Sequence, residues 1–322
     1  MKGLIIWFIF LDTPAIISLN FRLVIKNSPI LRIEMATTPQ VNENIKWAVQ
    51  KRLELIETEL FWSGRVNRQT LMEKTGISRA QASSDLAQYK KLADSNLVYN
   101  LAEKTYQVTP AFSAIFINTS PQIFLSQLAF SGEGAERLKL PARDIQPEKL
   151  RIVAQAVQMA ACIDITYQSM SSPEPRARII APHTFVFDGW RWHVRAYDFL
   201  SDSFRDFLLA RILRAQACAV PEGQNGAPWD RRNDADWEVM VPLKIVPHPG
   251  LSPQQKAVVE SDFGMVAGEV LFPVRRACLF YVLRQLRLFD ESKKPAEQQI
   301  VLANKEDILS LVDGQHHGGD LE

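Results

Sequence analysis

Apolar side chains first fall into step at residues 43–61, where Ile45, Ala48, Val49, Leu53, Ile56 and Leu60 recur at helical spacing before Ser63-Gly64 breaks the run. The spacing predicts an amphipathic helix. Asn67 is then a natural N-cap for a helix over 68–74, Thr75-Gly76-Ile77 supplies a tight turn, and Ser78 caps a further helix reaching residue 93. Two β-like runs, 97–101 and 105–109, flank the polar stretch 102–104 and predict a small hairpin. Residues 111–145 read as a connector with apolar patches at 115–117 and 123–128. A helix is expected over 146–161.

Beyond it the period changes from 3.6 to 2. Ile163, Ile165 and Tyr167 alternate with polar residues, and short strand-like runs follow at 178–182, 184–187, 190–197 and 204–212. Asp188-Gly189 is the signal of a two-residue hairpin turn. Strands this closely spaced predict a compact sheet or small barrel over 146–220. A Pro- and Gly-containing linker spans 221–236. The region 237–310 is expected to contain a strand (238–246), a helix (252–263), a strand (268–272), a long helix (275–288) and a last strand (299–302), with 311–322 a disordered tail. The fold class is therefore α+β.

Composition changes this picture little. The 322 residues are 47% hydrophobic and 23% charged, which describes an ordinary globular chain of two or three domains. With 37 Lys plus Arg against 36 Asp plus Glu, the net charge of +1 offers no overall attraction to nucleic acid or anionic membrane. Cys162, Cys218 and Cys278 form no CxxC pair and suit a reducing, cytoplasmic compartment, as buried apolar side chains. The apolar run at 4–11 is too short to span a bilayer and precedes no cleavage site. Residues 1–34 are expected to be a mis-assigned or disordered leader, with translation beginning at Met35. Enzyme motifs are missing from the sequence: it has no Gly-rich phosphate loop, HExxH, GxSxG or Cys/His cluster of metal spacing, so no catalytic residue, metal or cofactor is assigned. Asp198, Asp202 and Asp206 suggest a nuclease metal site only weakly, because Arg195 and Arg205 beside them favour neutralising pairs. His316-His317 belongs to the expected tail.

Local charge is more informative than the total. On the helix after Ser78, at about 100° per residue, Ala82, Leu86, Tyr89 and Ala93 share one face while Gln81, Ser84, Gln88 and Lys91 lie opposite. Arg79 occupies the first turn. Residues 43–110 thus resemble a winged helix-turn-helix whose second helix offers Arg79, Gln81, Ser84 and Gln88 to base edges. Arg65, Arg68, Lys90, Lys91 and Lys104 are candidate phosphate contacts. The alternative is a solvated face on a protein-binding winged helix. The middle of the chain is unusual in its cations: from Arg151 to Leu243 there are ten arginines and no lysine. Arginine alone is expected where a planar, permanently charged fork grips phosphate or stacks on bases. Alternation along 190–197 sends Trp190, Trp192, Val194 and Ala196 to one face and Arg191, His193, Arg195 and Tyr197 to the other, predicting a core face and a cationic, aromatic surface. Arg/Asp pairing is the competing explanation.

These runs carry a resemblance. Ile165-Thr166-Tyr167, the stretch from Arg178 through Pro182 to His183, Gly189-Trp190-Arg191-Trp192-His193-Val194-Arg195-Ala196-Tyr197-Asp198 and the stretch from Phe204 to Ile212 resemble a WYL domain. His193 and Val194 stand where that family has the tyrosine and leucine of its name. The order winged helix, WYL domain, α/β extension is similar to bacterial WYL regulators, and most resembles the BrxR/CapW-type repressors of phage-defence islands. The resemblance implies a homodimeric transcriptional repressor that binds an inverted-repeat operator in double-stranded DNA. Its WYL domain would be a small Sm/SH3-like barrel sensing a single-stranded nucleic acid or nucleotide effector. Carried over by position, the ligand surface is Tyr167, Ser169, Arg178, His183, His193, Arg195 and Arg211. The C-terminal extension is implied to dimerise, and Arg275 and Arg276, expected at the start of its long helix, to reach the ligand. A WYL-type activator or an accessory nucleic-acid-binding module fits the same pattern.

Overall fold

The computed structural model describes residues 45–132, 134–136, 138, 140–223, 227–289 and 294–313, and the chain divides between residues 139 and 140 into two compact units. The expected leader, the Met35 start and His316-His317 lie outside the described residues.

The first unit opens with α1 (Trp47–Ser63), which stops where Gly64 takes a left-handed conformation at φ 74°. A two-residue strand, β1 (Arg65–Val66), precedes α2 (Arg68–Thr75), whose Asn67 cap accepts the Thr70 N–H at 3.0 Å. Gly76, again left-handed, turns the chain into α3 (Arg79–Leu92), where the Ser78 hydroxyl accepts the Gln81 N–H at 3.2 Å. β2 (Leu97–Asn100) and β3 (Thr105–Val108) form the expected hairpin, and β1, which was not foreseen, joins it in the order β1-β3-β2. Leu53, Ile56 and Leu60 of α1 pack on Leu71, Ala82, Leu86 and Tyr89. The buried face of α3 is thus the one its periodicity predicts. The region read as a connector contains a helix, α4 (Pro121–Ser131), whose Phe124 stacks on Trp62 with ring centroids 4.2 Å apart.

In the second unit, α5 (Pro147–Met159) packs against a five-stranded antiparallel sheet of β4 (Ile163–Tyr167), β5 (Arg176–Phe187), β6 (Trp192–Asp198), β7 (Ser203–Leu208) and β8 (Ile212–Ala217). The strand order is β7-β6-β5-β4-β8, so the sheet is open and the expected closed barrel is corrected. Its edges still come close. The 3₁₀ turn Leu209–Arg211 carries the chain from one edge to the other. Four residue steps reach at most about 14 Å, whereas five strands laid flat would part the edges by about 19 Å. The sheet must therefore curl, with a turn rather than a ladder bridging β7 and β8. The runs expected at 178–182 and 184–187 are one strand, broken in register between Pro182 and Thr184, where proline lacks a ladder donor. The β5–β6 loop spans four residues, not two, because the Asp188 carboxylate accepts the N–H groups of Trp190 (2.9 Å) and Arg191 (2.6 Å) and so caps a wider turn.

The C-terminal region begins with the short helix α6 (Ala235–Glu238), capped by Asp234. β9 (Met240–Pro247) is the centre of a three-stranded antiparallel sheet ordered β10-β9-β11. α7 (Pro253–Asp262), started by a Ser252/Gln255 capping box, leads to β10 (Val270–Arg275). A 3₁₀ turn, Arg276–Cys278, separates β10 from α8 (Leu279–Gln285). The long helix expected over 275–288 is therefore shorter, because the ladder to β9 continues as far as Arg275↔Met240. Arg275 ends a strand and Arg276 lies in the turn, so neither starts a long helix. After β11 (Ile300–Leu302) comes α9 (Lys305–Asp313), which replaces the first residues of the expected tail and buries Ile308 and Val312 among Leu243, Leu279 and Leu283. Among the described residues no helix is long and apolar enough to cross a membrane.

Candidate functional site

The first unit exposes a polar helix face beside a hairpin. Arg79, Gln81, Ser84 and Lys91 are exposed on α3, and Gln88 is half-buried. Gln81 Nε2 donates to Asp85 Oδ1 at 2.8 Å, and the buried Asp85 also holds Arg52 at 2.6 Å. The Gln81 amide is thereby oriented. Asp85 had no signal in the sequence beyond its place among polar residues. Ion pairing divides the cations of this unit into two sets. Lys51, Arg52, Arg65, Lys74 and Lys90 each face a carboxylate. Arg68, Arg79, Lys91 and Lys104 make no ion pair among the described residues and are all exposed. Lys104 sits at the hairpin tip at φ 53°. The positive charge without an ion pair among the described residues is therefore on α2, α3 and the wing, with Lys46 just before α1.

The second unit gathers a buried cluster. β6 is covered on both faces: Val194 and Ala196 pack toward α5, while His193, Arg195 and Tyr197 are also buried, at 5%, 6% and 4% exposure. The expected cationic surface is thus an interior, because the C-terminal region lies over it. Tyr281 of α8 sets its ring 4.9 Å from His193 and donates to Asp206 at 2.8 Å. Arg195 grips Asp234 with Nε (2.8 Å) and Nη2 (3.0 Å), and meets Asp206 at 3.4 Å and Asp236 at 3.9 Å. His183 Nε2 shares Asp234 at 3.1 Å. Asp236 in turn receives the Arg276 Nε–H.

Two of the carboxylates, Asp234 and Asp188, are held in their ionised form. Burial works against the charged form of Asp234, but hydrogen bonds from His183 and Arg195 outweigh it and hold its carboxyl well below the usual range. Asp188, bonded by His193 and Arg191, behaves in the same way. Burial likewise opposes the charge on Arg195, yet Asp234 and Asp206 push it up. Burial, with Asp206 beside it, lifts the Cys278 thiol to about 12, so this cysteine is an inert apolar side chain.

The remaining ligand candidates lie elsewhere. Arg178 pairs with Asp198 beneath the Phe207 ring, and Tyr167 is core, its hydroxyl accepting the Leu208 N–H at 3.1 Å. Ser169 bonds Ser171, and Arg211 lies in the turn between β7 and β8. Arg275 donates to the Trp237 carbonyl and stacks over its ring at 4.8 Å. The three aspartates weighed as a metal site are engaged separately, Asp198 by Arg178, Asp202 by Tyr197, and Asp206 by Arg195 and Tyr281. Sequence reasoning missed Asp234, Asp236 and Tyr281. The available signal was a run of acidic residues (Asp230, Asp234, Asp236, Glu238) near the C-terminal end of the arginine-only region.

A winged helix with free cations, a WYL-type sheet and an α/β extension define a WYL-domain transcriptional regulator. Residues 48–130 match the winged helix-turn-helix domain of BrxR transcriptional regulators, 148–217 the WYL domain, and 240–308 the C-terminal dimerization domain of BrxR transcriptional regulators. The DNA-binding transcriptional repressor CapW of Pseudomonas aeruginosa is 35% identical over 291 residues, 85% of this chain and 95% of that protein. CapW of Stenotrophomonas maltophilia is 34% identical over 296 residues (86% and 97%), and CapW of Escherichia coli 32% over 288 (84% and 94%). The chain belongs to the BrxR/CapW family of WYL-domain transcriptional regulators, a family of regulators rather than enzymes. A solved structure, the proteasome accessory factor B/C of Arthrobacter aurescens, aligns with 89% of this chain and about half (51%) of its own, at 16% identity and a TM-score of 0.25.

Proposed function

We propose that this protein is a cytoplasmic, homodimeric DNA-binding repressor of a phage-defence locus that includes its own promoter, and that an anionic nucleic-acid or nucleotide ligand at the WYL domain relieves repression. The observation that carries the DNA-binding reading is the set of unpaired cations, Arg68, Arg79, Lys91 and Lys104, flanking the polar face of α3. In this reading Arg79, Gln81, Ser84 and Gln88 face base edges, and Arg68, Lys91 and Lys104 hold phosphates. The net charge of +2 over residues 43–110 is small, so two winged helices acting together on an inverted repeat supply the affinity. Similarity of residues 240–308 to a dimerization domain supports that arrangement.

Gel-shift titration on the promoter of its own gene tests the proposal. Gln81→Ala should cost about 1–3 kcal/mol on the cognate site and little on random DNA, whereas Lys91→Ala should weaken both and flatten the salt dependence. Equal losses on cognate and random DNA from Gln81→Ala would remove α3 from base recognition.

A further inference from the structure

The arginine that best fits a ligand already holds an occupant. A guanidinium fork accepts carboxylate and phosphate in the same bidentate geometry, and both carboxylates that Asp234 and Asp236 bring to Arg195 lie on one short segment, residues 230–238. That segment has the marks of a docked peptide. It meets Arg195 of β6 and His183 of β5, packs on β10 and the Arg276–Cys278 turn, caps its own four-residue helix with Asp234, and buries Trp237 to 7% exposure. The Trp237 Nε1–H finds no hydrogen-bond partner among the described residues, although the ring lies under Arg275.

Charge then selects what can replace it. If the segment withdraws, Asp234 and Asp236 leave together and remove two negative charges. Arg195, Arg275 and Arg276, all in contact with the segment, stay behind against Asp206, which Tyr281 also holds, so these groups carry an excess of two positive charges. Arginine cannot shed its proton, so the incoming group must return about two charges. One phosphodiester returns one. A terminal phosphate returns about 1.5–2 at neutral pH, on a single group small enough to meet one guanidinium.

Resting on the reading of the WYL domain as a ligand sensor, we propose that Asp234 and Asp236 are an internal mimic of the ligand, and that the ligand that displaces them carries a phosphomonoester: the 5′-phosphate of a nucleotide or of a nucleic-acid end. Asp234 and Asp236 set the ligand threshold. Release of segment 230–238 would remove the packing of α6 on β10 and the Arg276–Cys278 turn and so pass the event to the C-terminal region.

The test is calorimetric titration of the full chain with four probes: 5′-phosphorylated dT4, 5′-hydroxyl dT4, AMP and inorganic pyrophosphate. Wild type should bind 5′-phosphorylated dT4 at least tenfold tighter than the 5′-hydroxyl form. Asp234→Asn should tighten that binding by about 5- to 150-fold, the range of ordinary coupling between states. Asp236→Asn, at a half-buried position, should do so more modestly, and keeps the test usable if Asp234→Asn does not fold. AMP or pyrophosphate binding as tightly as the phosphorylated strand identifies a small-molecule source, and weaker binding identifies a strand end. Equal affinity for phosphorylated and hydroxyl strands overturns the phosphomonoester assignment. Unchanged or weaker binding in both aspartate variants shows that Asp234 is a structural joint and overturns the mimic. Failure of every probe to bind wild type and both variants overturns the sensor reading itself.

Discussion

Glu57 offers a direct measure of how the first unit holds together. This carboxylate is 0% exposed on α1 and pairs with no cation among the described residues; its partners are the Tyr89 hydroxyl (2.9 Å) and the backbone N–H groups of Ile115 (3.0 Å), Phe116 (2.6 Å) and Ile117 (2.8 Å). It thus ties the segment after the hairpin back to α1 and α3. Asn96 reinforces the tie by exchanging hydrogen bonds with the Ser113 backbone. Hydrogen bonds to a charged acceptor contribute about 1.5–3 kcal/mol each, so four donors set an upper limit of roughly 6–12 kcal/mol. Losing the carboxylate also removes its own desolvation cost, and water can enter the space vacated, which reduces the net loss for Glu57→Ala to about 3–5 kcal/mol. Urea unfolding followed at the first unit should show the midpoint falling by about 1–3 M at ordinary denaturant sensitivity. Hydrogen exchange should accelerate at residues 115–117. Glu57→Gln should be nearly as damaging, since one oxygen becomes an NH₂ group facing backbone donors. A midpoint shift below about 0.3 M with unchanged exchange at 115–117 would show that water satisfies these amides as well as Glu57 does, and the reasoning would fail.

Two further outcomes are expected. Leu283, fully buried where α8 meets β9 and α9, should cost about 2–5 kcal/mol when truncated to alanine; sedimentation should show dimer loss together with unfolding of the C-terminal region, and a stable monomer would separate the two. Acid should loosen the second unit. Asp188 and Asp234 titrate below their unfolded values, so their stabilisation is complete above the unfolded pKa of about 3.9 and is lost as pH falls through the lower folded values. Intrinsic fluorescence and circular dichroism between pH 5 and 2 should place the transition there, and Asp234→Asn should flatten it. A second unit equally stable at pH 5 and pH 2 would refute the assignment.

Much of the first unit was legible because its signals are local. Asn67 and Ser78 cap the helices they precede, Gly76 turns between them, and the face of α3 carrying Ala82, Leu86 and Tyr89 is buried as its period requires. The second unit was legible in its strands and not in their surroundings. The run 204–212 concealed a turn between opposite sheet edges, since apolar content alone does not mark where a ladder ends. Residues 275–288 looked helical throughout, yet pairing with β9 keeps the chain extended to Arg275.

Sequence alone determined the caps, the amphipathic faces, the order of domains and the preference for arginine over lysine, because each depends on residues within a turn or a strand of one another. Tertiary structure decided what those residues meet. Alternation along β6 separates two faces but carries no information about what covers the second one. Arg195 finds Asp234 39 positions away, and Glu57 finds its amides 58 to 60 positions away. Only folding converts such a distance along the chain into contact, and with it decides whether an arginine faces solvent or a carboxylate.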